Sequence, residues 1–134
     1  MTTIYRLEMG EAGKGVYYDR SKYPYVSDIL DNHNCFCDYR CPSIFADLKD
    51  SRGLLLVPSY IYFGFDTIEK LLAWFPAECI EDLIEIAGAK LVVYETEETV
   101  RLGNKQCLFH KFSATKVHEF DRYNQVKEHL RITN

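Results

Sequence analysis

The spacing of apolar residues changes several times along this 134-residue chain, and each change marks a new element. Residues 3–8, TIYRLE, place β-branched and aromatic residues around Arg6 and predict a short strand, which Gly10, Gly13 and Gly15 then break. From 16 to 50 no period holds; only SDIL and SIFADL hint at single helical turns, and this is the most loop-like stretch. Order returns in LLLVPSYIYFGF, residues 54–65, where Pro58 should divide an apolar piece from a strand at 59–63. After Gly64 the spacing becomes helical: Ile68, Leu71, Leu72 and Phe75 fall at i, i+3, i+4 and i+7, with Asp66 placed to cap and Glu69 at capping-box distance. Pro76 separates a second helix, in which Ile80, Leu83, Ile84 and Ala87 share one face and Glu78, Glu81, Asp82 and Glu85 occupy the others, until Gly88 stops it. KLVVYET then reads as a buried strand, followed by a charged turn at Glu97 and Glu98. A turn at Gly103 and Asn104 opens the hairpin strand KQCLFHKF, and the tail from Asp121 reads as a capped helix with Tyr123, Val126 and Leu130 on one side.

This order predicts one globular domain, residues 1–134, of the α+β class. A small twisted antiparallel or mixed sheet should carry the two consecutive helices 67–75 and 77–87. A formal net charge of −4, with no basic cluster, argues against direct binding to nucleic acid. No apolar run approaches membrane-spanning length, and the first residues lack a secretory core, which points to the cytoplasm and away from a membrane. The five cysteines then read as reduced thiols. Ten tyrosines are generous for this length, and a recognition surface is one use of them. The loop-like stretch concentrates Tyr17, Tyr18, Tyr23, Tyr25, Phe36, Tyr39 and Arg40, the residue types that form interface hot spots, and is the expected partner-binding segment.

Three local patterns could carry chemistry. HNCFCDYRC gathers His33, Cys35, Cys37 and Cys41, which are soft-metal ligands, into nine positions. Structural zinc usually ties together two separated ligand pairs, so this compact cluster reads first as reduced cysteines in an aromatic loop, with a small zinc-binding protein as the alternative. GEAGKG, residues 10–15, echoes a phosphate-cradling loop but lacks the Walker spacing; it reads as a turn, with Arg6 and Lys14 as candidate anion contacts. Thiol catalysis would require Cys41 or Cys107 to meet His33, His110 or His118 in space, which spacing does not establish.

The succession YR, GxGVY, FGFDTIEKLLAWF, LVVYE and KQCLF, across about residues 4–112, resembles a group of small proteins encoded by tailed phages and prophages. More distantly, the order is similar to ADP-ribosyltransferase-like folds, in which an early-strand arginine or histidine contacts NAD and a late strand supplies a catalytic glutamate. That likeness implies the NAD-contacting role for Arg6 and puts Gln106 where the glutamate belongs. A neutral amide keeps hydrogen-bonding shape but supplies no negative charge to an oxocarbenium-like transition state. Glu95 and Glu97 are substitute carboxylates of unknown direction, and the plain alternative is that Arg6 and Gln106 are strand residues facing solvent. Together these readings imply a phage accessory protein that binds a host protein, a component of an antiviral defence system, in the host cytoplasm and without a cofactor. An NAD-using ADP-ribosyltransferase that modifies such a target is the alternative.

Overall fold

The computed structural model describes residues 1–10, 14–16, 24–33, 61–97, 101–102 and 105–132. Strand β1 (Thr2–Met9) comes first, followed by the short β2 (Lys14–Gly15) and helix α1 (Pro24–Asn32). Next are β3 (Ile61–Gly64), α2 (Ile68–Trp74), α3 (Ala77–Glu85) and β4 (Lys90–Thr96). The chain continues through β5 (Arg101–Leu102), β6 (Cys107–His110), a 3-10 turn (Lys111–Ser113), β7 (Ala114–Phe120) and α4 (Tyr123–Leu130). Two antiparallel sheets result, in the orders β2-β1-β4-β7 and β3-β6-β5, so the fold is α+β with purely antiparallel pairing among the described residues. A single sheet was the expectation. The two are nevertheless linked, because Tyr5 and Phe65 exchange backbone hydrogen bonds of 2.8 and 2.9 Å and attach the end of β3 to the edge of β1.

β1 is buried on both faces, and its side-chain alternation builds two cores. Leu7 and Met9 face the helices and join Leu91, Val26, Leu30, Leu71, Trp74, Ile80, Leu83, Val126 and Leu130 in the larger core. Ile4 faces the other way, where it meets Val92 and Tyr94 of β4 and Tyr62, Cys107 and Phe109 of the second sheet. Gly64 makes that close approach possible: a Cβ there would stand 2.5 Å from Ile4 Cγ2 and 3.2 Å from the Tyr5 carbonyl oxygen.

The helices follow the sequence pattern, but their ends are tied differently. Thr67, not Asp66, caps α2 by accepting the Lys70 N–H at 3.1 Å, while the Asp66 carboxylate pairs with Lys70 Nζ at 2.9 Å. Helix α3 buries Cys79, Ile80, Leu83 and Ile84 and ends in a turn where Gly88, at φ +80, lets the Ala89 N–H return to Leu83 O at 2.9 Å. Helix α4 buries Tyr123, Val126 and Leu130 as its spacing requires, yet its first N–H donates to Glu85 Oε1 of α3 at 2.8 Å instead of to Asp121. Several elements were illegible in the pattern, the two-residue strands β2 and β5 among them. Helix α1 spans the SDIL turn inside the stretch expected to be loop, and β7 extends the first sheet where only the end of a hairpin was expected.

Candidate functional site

Arg6 lies at the centre of β1, with β4 hydrogen-bonded on one side and the Phe65 attachment one residue away on the other. Its parity, shared with Ile4 and Glu8, turns the side chain toward the second sheet and out of water. Arg6 is 7% exposed and Glu8 3%. An ion so placed loses several kcal/mol of hydration unless partners replace the water. Groups from several elements close around it. Arg6 Nε donates to Glu8 Oε2 at 3.0 Å, Nη1 donates to the Phe63 carbonyl at 2.7 Å, the guanidinium carbon lies 4.2 Å from the centre of the Tyr62 ring, and Gly15 backs the remaining nitrogen closely enough that a Cβ would approach Nη2 to 3.3 Å. Burial lowers the Arg6 pKa, and the Glu8 carboxylate opposes that shift.

Tyr94 completes the network by donating its hydroxyl to the same Glu8 oxygen at 2.6 Å. Burial, and then the hydrogen bond and charge of Glu8, push the Tyr94 pKa well above the ordinary tyrosine value, so the phenol keeps its proton at neutral pH. On the outer side Lys111 Nζ donates to the Tyr62 hydroxyl at 2.9 Å and lies 4.7 Å from the ring centre, which places two cations against one aromatic side chain. Through Arg6 and Tyr62 the network joins β1 and β4 of the first sheet to β3 of the second. Its chemistry is that of a charged clamp: one carboxylate, one guanidinium and one phenol satisfy one another inside the protein.

Arg6 and Gln106 are both buried, so the solvent-facing alternative for this pair does not hold. Gln106 stands next to Cys107, opposite the end of β3. Glu95 does not share the face of Arg6, because it has the parity of Val93 on β4 and pairs with Thr3. Cys107 is fully buried, and burial pushes its thiol up to about 12, reinforced by the charge of Asp66. His110 cannot serve it as a base, since the two have opposite parity on β6 and point to opposite faces. Of the expected partner-binding residues, Tyr25 is described and is 64% exposed at the start of α1. Tyr17, Tyr18, Tyr23, Phe36, Tyr39 and Arg40 lie outside the described residues, as do Cys35, Cys37 and Cys41 and the side chain of Lys14. His33 is described: its Nε2 lies 3.0 Å from Asp82 Oδ2, a contact that ties α1 to α3. Sequence reading missed Glu8, Tyr94, Tyr62 and Lys111. The i, i+2 spacing of Arg6 and Glu8 on one strand was a usable signal for the first; the others depend on pairing between distant strands.

The remaining conspicuous surface features are apolar. Phe112, in the turn between β6 and β7, is 78% exposed, and Ile86 at the end of α3 is also exposed. None of the four described helices is long and apolar enough to cross a membrane. No curated protein and no solved structure matches the chain, so the distant likeness to ADP-ribosyltransferases gains no support there. A family model does match, over residues 1–122 and thus through every strand of both sheets, and by it the chain belongs to the family described as Bacteriophage T4 Y00F protein.

Proposed function

We propose that this phage protein acts by binding a host protein, a component of a bacterial antiviral defence system, and not by chemistry of its own. The observation that carries the reading is the closure of the Arg6–Glu8–Tyr94 network: the guanidinium that would contact NAD in a transferase is held by Glu8 Oε2 and the Phe63 carbonyl. A group so engaged would have to abandon a buried carboxylate to reach a substrate, at a cost of about 3–5 kcal/mol. Partner contact is assigned to the tyrosine-rich segment 16–50, whose described member Tyr25 projects into solvent. An exposed aromatic ring of this kind supplies rigid contact area at low entropic cost.

The test is capture from host lysate with the tagged full chain, followed by intact mass measurement of whatever protein is recovered. The expected result is one partner in fixed stoichiometry with unchanged mass. A mass gain equal to ADP-ribose on the partner would replace binding with the transferase reading.

A further inference from the structure

The second place where titratable groups converge lies away from the clamp, between β7 and α4. His118 and Phe120 occupy one face of β7, with rings stacked at an interplanar angle of 13° and centroids 5.7 Å apart. His129, near the end of α4, leans on both: its ring centroid is 4.9 Å from that of Phe120 and 4.9 Å from that of His118. Both imidazoles are exposed, whereas Phe120 is half-buried beneath them and packs against the larger core. The phenyl ring therefore gives two solvent-accessible imidazoles a common floor and fixes their separation.

That separation is compatible with a shared metal ion. With a metal–nitrogen bond of about 2.0–2.1 Å, each ring centroid stands about 3.2 Å from the ion, so two cis imidazoles have centroids about 4.5 Å apart at a right angle and about 5.2 Å apart at the tetrahedral angle. The observed 4.9 Å falls between these limits. We infer that His118 and His129 form a two-imidazole site for a single divalent transition-metal ion of the zinc, nickel or copper class. Imidazole suits these ions, and Glu119 belongs to the opposite face of β7, where it pairs with Lys90 and Lys116. Among the described residues no third His, Cys, Asp or Glu completes the set, so water fills the remaining positions and the site is one of modest affinity.

The probe is nickel alone, titrated into the isotope-labelled full chain while the ring signals of all four histidines are followed by NMR. The His118 and His129 signals should broaden together, before those of His33 and His110. His118→Gln and His129→Gln, each with an otherwise wild-type amide spectrum, should each weaken nickel binding on the order of a hundredfold, because one imidazole then binds without the other's chelate gain. Broadening of the two rings at separate nickel concentrations, a first response at His33 or His110, or wild-type affinity in either variant would overturn the assignment.

Discussion

At the residue scale, Arg6 and Glu8 matter most as a pair. Removing one partner leaves the other charge buried, and Glu8→Gln or Arg6→Met alone should destabilise the protein by about 3–5 kcal/mol in urea unfolding. Replacing both, as Arg6→Met with Glu8→Leu, removes the uncompensated ion and should cost less than either single change; a double variant as unstable as the sum of the singles would contradict the clamp. Tyr94→Phe gives up a hydrogen bond to a charged group, about 1.5–3 kcal/mol. It should also change the alkaline limb of stability. The folded Tyr94 pKa lies above the unfolded value near 10.0, so its contribution is whole below pH 10 and is lost as pH rises beyond it. Stability of the wild type should therefore fall faster above pH 10 than that of Tyr94→Phe, and equal slopes would remove Tyr94 from the network. Cys79 and Cys107 are buried, and Cys107 has a raised pKa, so native alkylation followed by peptide mapping should leave both unmodified. The sequence exposed Arg6 as unusual in its strand, but the burial that gives it meaning comes from β3, whose Phe63 is 57 residues away.

At the scale of elements, apolar period was informative where one face is buried and misleading where burial is two-sided or slight. Helix α3 and the faces of α2 and α4 could be read because their apolar stripes match the core they cover. β7 could not. Most of its residues are exposed, and its register against β4 jumps from His118 opposite Val93 to Lys116 opposite Tyr94, so the bulged Val117 breaks any alternation. The bulge and Lys116 also suit an outer strand, which must resist pairing with other chains. Helix ends were harder to read than helix faces, since the first N–H of α4 is satisfied by Glu85 from α3, a contact that local spacing does not encode. β3 carries the element-scale prediction. Gly64→Ala would force a methyl group against Ile4 and the Tyr5 carbonyl, separating the two sheets at their closest approach and costing about 1–3 kcal/mol by thermal or urea unfolding. Wild-type stability in that variant would mean that β3 can move off β1 freely.

For the whole molecule, the α+β class and the helical layer were legible, whereas the division into two sheets was not, because among the described residues it rests on the Tyr5–Phe65 attachment and on side chains meeting between the sheets. The clamp stands at that junction. A charged network there joins the sheets with defined geometry, and hydrophobic packing of Ile4, Tyr62, Val92, Tyr94 and Phe109 continues beside it. The arginine that could suggest an NAD site is thereby part of the architecture, and the proposed recognition falls to the surface. The most direct measurement is a capture experiment for the proposed host partner with the folded Arg6→Met, Glu8→Leu double variant beside the wild type. The account predicts the same partner in the same stoichiometry from both, with its mass unchanged. Failure of the wild type to retain a stoichiometric partner, or loss of capture by a double variant that keeps the wild-type fold, would contradict it.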